Sequence, residues 1–352
     1  MKKTNSIYIY RIIFTYMIVL LHYAVLLEYA YERGAQSGWY IAVEFFFMTT
    51  GYLMYDNAER YKEKFGSAWK YTLSRHHKLG GFKYLVAFAG TFAVKAYLEK
   101  ITGFEIAHRL LDSVPEMLLL QSAGLARGWN FINPTLWYLS VIIIAGYVIC
   151  WFLFNHKDLF VTIIAPIALV LGYSYLYRTC GSMDAVAEFC GAFGNFEMIR
   201  GFCDMCLGMY AAMLTKRLVE ANANVALLKL AAALLTVAVI VLSLVYGRTT
   251  ADFVFVGMIF LIVAFGFVPR TATELDAFFE KWSGITLNIY LIHEVFRQYI
   301  MKKLFPMIET PAGAVKATIV YLVFITVTAI ALEVLYKIVS EMFNKFKAKK
   351  SS

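Results

Sequence analysis

The chain has 352 residues, of which 61% are hydrophobic and 16% charged, and its mean hydropathy is +0.63. A soluble domain carries roughly a quarter charged residues, so this composition excludes an ordinary soluble protein and indicates that lipid is the solvent for much of the surface. The lysines and arginines behind the net charge of +9 lie in loops and tails between apolar segments. That distribution is typical of membrane topology and disfavours nucleic-acid binding.

Ten apolar segments are long enough to be membrane-spanning helices. A helix needs about 20 mainly apolar residues to cross the roughly 30 Å hydrocarbon layer. Only helices and closed barrels satisfy the backbone in lipid, and these runs are too long for barrel strands. The sequence therefore predicts an all-α, polytopic membrane protein with spans near residues 7–27, 39–56, 82–100, 135–155, 159–176, 194–215, 225–246, 252–268, 283–301 and 317–340.

Basic residues predict the orientation, because loops rich in Lys and Arg stay in the cytoplasm. The amino terminus, the segment 57–81 and the carboxyl terminus are basic, and with ten crossings they share one side. Both termini are therefore predicted to be cytoplasmic. The first apolar run lacks a small-x-small cleavage site and is interpreted as a retained helix rather than a signal peptide. Residues 1–345 are predicted to form a single transmembrane domain, followed by a basic cytoplasmic tail at 346–352.

The outward loops contain two further features. Residues 101–134 include an apolar stretch, Pro115 to Gly124, which is too short to span and is expected to dip into the membrane or lie on it. Cys180 and Cys190 flank another outward loop, and whether they form a disulfide is left open. The pattern contains no dense His/Cys/Asp cluster, so no metal site is predicted.

Ionisable residues inside the predicted helices are costly in lipid and are functional candidates by default. Arg11 and His22 are eleven residues apart. At 100° per residue, that spacing places both side chains on one helix face, roughly 16 Å apart along the axis. Arg11 is expected near the cytoplasmic boundary, and His22 deeper, toward the outer half. The alternative is that Arg11 reaches lipid headgroups while His22 bonds a neighbouring helix.

The acidic residue Glu44 lies in the second predicted helix, at a depth comparable to that of His22. A carboxylate near an imidazole raises its basicity and fixes its tautomer. Glu44 is therefore a candidate partner of His22, and a helix-packing hydrogen bond is the alternative. In the sixth predicted helix, Arg200 and Asp204 are four residues apart, which favours an intrahelical ion pair.

The chain's motifs, taken in order, resemble those of the acyltransferase 3 family of integral membrane O-acyltransferases. Arg11 and His22, with ten residues between them, are similar to the family's R-x10-H signature. Phe45 to Tyr52 is similar to F-F-x-x-S-G-[FY], with Thr50 in place of the usual Ser. Arg75-His76-His77-Lys78 is similar to R-x-x-R, with Lys78 replacing the second Arg.

Two later motifs extend the resemblance over roughly residues 5–340. Leu136 to Ser140, which includes Trp137 and Tyr138, is similar to L-W-[YF]-L-S. Asn288 to His293 is similar to Y-x-x-Y-L-x-H, with Asn288 close to where an aromatic is common. Each motif is weak by itself, but their order and spacing make the resemblance specific.

The resemblance implies an enzyme that moves an acyl group, usually acetyl, from cytoplasmic acyl-coenzyme A to a hydroxyl of a cell-surface or lipid-linked carbohydrate. His22 would be the general base or a transient acyl carrier, Arg11 would face the donor, and Glu44 would orient His22. Arg75 and Lys78 would bind the donor phosphates. The substrate tunnel would include Thr50, Trp137, Tyr138, Tyr290 and His293.

The same resemblance implies a multi-pass protein of the bacterial plasma (inner) membrane. Its expected partners are acyl-coenzyme A as a co-substrate, a carbohydrate acceptor and membrane lipid, with no resident cofactor and no nucleic acid. The acceptor sugar, acetyl or succinyl as the acyl group, and self-association into a homo-oligomer are left open.

Two other function classes fit parts of the pattern. A transporter or flippase for a polysaccharide or lipid-linked sugar would also use buried Arg, His and Glu, although the sequence has no internal repeat of the kind such carriers contain. A non-catalytic membrane subunit would use the same polar residues to hold its helices together.

Overall fold

The computed structural model describes residues 3–23, 38–124, 131–184, 195–299 and 310–350, without the side chains of residues 298–299, 311 and 346–350. Within these ranges the protein is all-α, as predicted, apart from a short strand pair. The helices are α1 (Ile7–Tyr23), α2 (Ala42–Asp56), α3 (Ala58–Phe65), α4 (Ala68–Leu79), α5 (Phe82–Glu99), α6 (Phe104–Asp112), α7 (Val114–Met117), α8 (Trp137–Asn155), α9 (Lys157–Leu159), α10 (Ala165–Cys180), α11 (Phe196–Glu220), α12 (Val225–Tyr246), α13 (Asp252–Phe267), α14 (Glu274–Ser283), α15 (Thr286–Tyr299) and α16 (Pro311–Lys350).

Where the structure describes them, the ten predicted spans overlap helices. Within the described ranges, four helical segments are long and apolar enough to cross a membrane: Pro134–Asn155, Lys157–Cys180, Val225–Tyr246 and Ala312–Lys345. The total of ten crossings and the side on which the termini lie stay predictions. The question of a Cys180–Cys190 disulfide stays open, because residue 190 lies outside the described ranges.

One predicted boundary is wrong. The predicted span 283–301 starts inside α14, which ends at Ser283, and α15 begins only at Thr286. The chain turns at Gly284 and Ile285 between the two helices, so α15 begins three residues after the predicted start. The last helix, α16, is longer than predicted and continues through Lys350, into the segment assigned to a tail.

Helix α1 lies between two groups of packed helices. The first hydrophobic cluster joins the amino-terminal part of α1 to α2, α11 and α13, and the second joins its carboxyl-terminal part to α5, α15 and α16. Phe14 and Val19 are both fully buried, one in each cluster. Because α8 also contributes to both clusters, α1 and α8 form the seam between the two groups.

Helices α2 and α11 cross so closely that their backbones are in contact, and glycine at the crossing makes this approach possible. A Cβ atom at Gly51 would lie 1.9 Å from the carbonyl oxygen of Met205, and one at Gly208 would lie 2.0 Å from that of Met48. Any larger residue at either position would push the helices apart. This close approach, common where small residues line membrane helix interfaces, sets the distance between the polar side chains of α2 and α11.

The segment 101–124 folds back along the protein rather than extending away from it. The His76 ring on α4 shares a hydrogen bond with the Leu118 carbonyl oxygen at 2.9 Å, and the Tyr84 hydroxyl of α5 donates to the Glu116 carbonyl oxygen. Glu116 is fully buried, and its carboxylate accepts the backbone N–H groups of Ile132 and Asn133, both at 2.7 Å. These bonds fix the approach of the chain to α8.

The amino terminus is attached to the loop that follows α13. Strand β1 (Lys3–Thr4) pairs antiparallel with β2 (Arg270–Thr271). The Arg270 guanidinium binds both carboxylate oxygens of Asp276, at 3.0 and 2.5 Å, and its Nε donates to the Ser6 hydroxyl at 3.0 Å. The Tyr8 hydroxyl also donates to Asp276. This arrangement, the Arg270–Asp276 latch, joins α1 to α14.

We expect the Arg270–Asp276 latch to weaken in acid. Its hydrogen bonds, first of all those from Arg270, hold the pKa of Asp276 well below its usual range. A depressed folded-state pKa stabilises the protein above the unfolded value, and that stabilisation is lost as the pH falls below about 4. The apparent melting temperature of the detergent-solubilised protein should therefore decrease in this window.

Asp276→Asn should lower the melting temperature at neutral pH and remove most of its dependence on acid. Glu274→Gln, which changes an exposed carboxylate on the same helix, is the matched control and should keep the acid dependence. An Asp276→Asn variant with the wild-type acid profile would contradict the latch.

Candidate active site

A first cavity lies at the amino-terminal half of α1. Its volume is about 240 Å³, and its lining includes Arg11, Thr50, Arg75, Tyr138 and Tyr290. These five residues, from α1, α2, α4, α8 and α15, are all among the site residues predicted from the sequence. This space is called the Arg11 cavity below.

Local chain geometry brings Arg75 to the Arg11 cavity. Gly66, at a φ of 71°, ends α3 in the left-handed region, and the Ser67 hydroxyl accepts the Lys70 N–H at the start of α4. Helix α4 then runs along α8, and Arg75 donates to the Tyr71 hydroxyl at 3.3 Å. Lys78, one turn farther along, is exposed and does not line the cavity. The structure therefore separates the two cations that were predicted to act together.

A second cavity, of about 350 Å³, lies at the carboxyl-terminal end of α1. His22 and Trp137 line it, together with Arg200, Glu294 and Arg297. Its wall also contains Asp184 and Arg248, which form an ion pair at 2.8 Å. This space is called the His22 cavity below. The His22 ring thus faces a polar cavity and is neither turned out toward lipid nor enclosed in the apolar core.

The turn before α8 positions Trp137 and Tyr138. The Asn133 side chain accepts the Thr135 N–H at 3.3 Å and the Thr135 hydroxyl at 2.6 Å, and Pro134 occupies the first helical position. Proline fits there because its missing N–H would have no helical partner. Since Trp137 and Tyr138 are consecutive, they point in different directions: Trp137 lines the His22 cavity and Tyr138 the Arg11 cavity.

A thin wall separates the two cavities. Val43 lines both of them. The Tyr290 hydroxyl donates to the Thr135 carbonyl oxygen, and the ring centroids of Tyr138 and Tyr290 are 5.9 Å apart in an edge-on contact. The wall therefore consists of side chains from α2, α8 and α15.

His293 lies behind His22 rather than on the cavity surface. The two ring centroids are 5.1 Å apart. His293 is fully buried, and its Nδ1 shares a hydrogen bond of 2.5 Å with the Tyr290 carbonyl oxygen. Because that bond fixes the ring orientation, His293 provides a rigid surface for His22 to pack against.

The predicted pairing of Glu44 with His22 is not found. Glu44 is fully buried and instead accepts the Arg200 Nε at 2.6 Å. The Arg200 guanidinium lies between the rings of Tyr40 and Trp137, 5.7 and 5.6 Å from their centroids. The predicted Arg200–Asp204 ion pair is replaced as well, since Asp204 accepts the Tyr173 hydroxyl at 2.6 Å. The close crossing of α2 and α11 brings Arg200 within reach of Glu44.

Besides Asp184, which is paired with Arg248, the carboxylate that lines the His22 cavity is Glu294. It forms a bidentate pair with Arg297, with N–O distances of 2.7 and 2.6 Å. Sequence analysis missed both residues as site members, although Glu294 directly follows the histidine of the last motif. The sequence signal that could have identified them is a pair of opposite charges three residues apart, Glu294 and Arg297, in a predicted membrane helix.

Loss of Arg200 should destabilise the protein, because it leaves Glu44 buried without its counter-charge. Removing one partner of a buried pair costs roughly 3–5 kcal/mol, so Arg200→Met should strongly lower the apparent melting temperature in detergent. Arg248→Met, in the more exposed pair with Asp184, should cost no more than about 1 kcal/mol. Glu44→Met combined with Arg200→Met should recover much of the loss.

A stable and monodisperse Arg200→Met protein would refute this structural role. Glu44 would then again be a candidate for a direct role in the reaction.

A comparison with known protein families identifies the same family as the motifs that line the two cavities. The sequence model of the acyltransferase 3 family, described as an acyltransferase domain, matches residues 5–337, nearly the whole chain. Searches of curated proteins and of solved structures returned no significant match. The matched region contains both cavities and every residue predicted to line them. The chain therefore belongs to the acyltransferase 3 family and is a membrane acyltransferase.

Proposed function

We propose that the protein transfers an acyl group, in the first place acetyl, from acyl-coenzyme A to a hydroxyl of a cell-surface or lipid-linked carbohydrate. The observation that carries this proposal is the placement of Arg11 and His22 in successive cavities along one face of α1. A cation in one cavity and a proton acceptor in the next suit a phosphorylated donor and a hydroxyl acceptor that approach from opposite ends.

The Arg11 cavity is the proposed donor site. Arg11 and Arg75 both line it, and guanidinium groups bind phosphate bidentately. The remaining lining is largely apolar and suits the pantetheine arm. Since Arg11 and His22 are roughly 16 Å apart along the helix, an extended arm held by its phosphates at Arg11 would bring the thioester near the wall of Val43, Tyr138 and Tyr290.

His22 is the proposed general base. Its imidazole takes the proton from the acceptor hydroxyl as the hydroxyl oxygen attacks the thioester carbonyl carbon, and the new C–O bond forms. Collapse of the tetrahedral intermediate breaks the C–S bond. The imidazolium then returns the proton to the departing thiolate, which gives the ester and free coenzyme A. In the alternative route, the His22 imidazole nitrogen attacks the thioester carbon and the C–S bond breaks, which releases coenzyme A. The acceptor hydroxyl then attacks the acyl carbon, the C–N bond breaks, and the hydroxyl proton passes to the imidazole.

Glu294 is the carboxylate best placed to stabilise the imidazolium. It lines the same cavity as His22 and is held by Arg297, whereas Glu44 is occupied by Arg200. Trp137 presents an indole ring to this cavity, and flat aromatic surfaces stack on the apolar faces of sugars. These features support a carbohydrate acceptor in the His22 cavity.

We expect His22→Ala to abolish acyl transfer while leaving the protein folded. Loss of a general base lowers kcat by roughly a hundredfold to ten-thousandfold. The assay is transfer of radiolabelled acetyl from acetyl-coenzyme A to surface glycan in membranes, with the amount of protein measured by immunoblot. His77→Ala, which changes an exposed histidine on α4, is the matched control and should keep full activity.

Full activity of His22→Ala would remove the catalytic assignment. Net movement of labelled sugar across the membrane without acyl-coenzyme A would instead support the transporter class.

The two cations of α4 should differ in their effect on the donor. Arg75→Ala should raise the KM for acyl-coenzyme A by roughly tenfold to a hundredfold, as expected for the loss of a charge-assisted bond of about 1.5–3 kcal/mol, and should leave the KM for the acceptor unchanged. Lys78→Ala should change the donor KM by less than about threefold, because Lys78 does not line the Arg11 cavity. Equal effects of the two substitutions would contradict the donor site described here.

A further inference from the structure

Helix α14 carries an apolar stripe that no other part of the described structure covers fully. Leu275, Phe278, Phe279 and Trp282 follow the i, i+3, i+4, i+7 spacing that places them on one face. Leu275 is 65% exposed and Phe278 56% exposed. A stripe of large apolar side chains at this level of exposure is stable in a membrane protein when lipid covers it.

The opposite side of α14 is held against the protein. Asp276 belongs to the Arg270–Asp276 latch, and the Thr4 hydroxyl donates to Glu280 at 3.1 Å. These contacts attach α14 to the amino-terminal strand and to α1. The helix is therefore fixed in orientation, and its apolar stripe points away from the latch.

A groove of about 580 Å³ lies between α14 and α16. Phe278, Trp282, Ile330 and Val334 give it an apolar floor. Ile330 and Val334 are 44% and 51% exposed, so the groove continues into the outward-facing surface of α16. Its length along α16 and its apolar lining suit an acyl chain rather than a water-soluble ligand.

Two lysines stand at the rim of this groove. Lys281 extends from α14 and Lys337 from α16, and both are exposed. The acidic residue of the rim, Glu333, is already paired with Lys83 and accepts the Asn288 side-chain amide at 3.0 Å. Lys337 is 4.0 Å from the other Glu333 oxygen. The Lys83 and Lys337 ammonium groups therefore share one carboxylate. Together with Lys281, which also lines the groove, they leave positive charge at the rim.

We propose that this groove binds an anionic phospholipid. The phosphate would lie between the Lys281 and Lys337 ammonium groups, and one acyl chain would cover the Phe278 and Trp282 rings. An apolar floor with a cationic rim matches a lipid that has a charged headgroup, and it matches free phosphate or a neutral lipid less well. The site includes no residue of the Arg11 or His22 cavity, so the inference does not depend on the proposed reaction.

Trp282 provides a local probe for the test. The full chain and its Trp282→Phe variant are reconstituted into phosphatidylcholine vesicles that contain brominated phosphatidylglycerol or, in parallel, brominated phosphatidylcholine. Bromine quenches tryptophan emission at contact, and the difference between the two proteins isolates Trp282. We expect brominated phosphatidylglycerol to quench at a lower mole fraction, by roughly fivefold for each lysine that contacts the headgroup.

Lys281→Gln combined with Lys337→Gln should remove the preference for phosphatidylglycerol and keep quenching by brominated phosphatidylcholine at high mole fraction, which shows that the groove is still formed. Lys216→Gln, which changes an exposed lysine of α11 outside the groove, is the matched control and should keep the preference. Equal quenching of the wild type by the two lipids would overturn the proposal. So would protection of Trp282 from both lipids, because a second copy of the chain would then cover the groove.

Discussion

The close crossing of α2 and α11 is the constraint on which the rest of the site depends. Gly51 and Gly208 bring the two backbones into contact, and that contact places the fully buried Arg200 against Glu44. A buried ion pair does not by itself make a protein stable, but an unpaired buried charge is strongly destabilising. The crossing must therefore be kept at this distance. It fixes the Tyr40 and Trp137 rings around Arg200 and, through Trp137, the wall of the His22 cavity.

Helix α1 connects this framework to both cavities. It lies at the seam between two packed groups of helices and contributes to both hydrophobic clusters. Arg11 and His22 occupy separate cavities, and the wall between them consists of side chains of Val43, Tyr138 and Tyr290. Only side chains, and no helix backbone, therefore stand between the two cavities at this wall.

The polar residues of the structure divide into those that hold helices together and those that face cavities. Glu44, Asp204 and the Arg270–Asp276 latch belong to the first class, because their partners are other protein groups. Arg11, Arg75, His22 and Glu294 belong to the second. The groove between α14 and α16 is separate from both cavities, since it shares no lining residue with either of them.

Hydropathy and helical spacing are local properties, so they predict the all-α class and the helical segments, and the motifs predict the family and seven of the cavity-lining residues. Helical spacing also places Arg11 and His22 on one face, because eleven residues make about three helical turns. The partners of the polar side chains, in contrast, follow from the tertiary structure alone. It paired Glu44 with Arg200, excluded Lys78 from the Arg11 cavity, moved His293 behind His22 and brought Glu294 into the His22 cavity. These outcomes depend on how closely and at what angle distant helices cross, and glycine contacts and buried turns set that geometry without leaving a periodic signal along the chain.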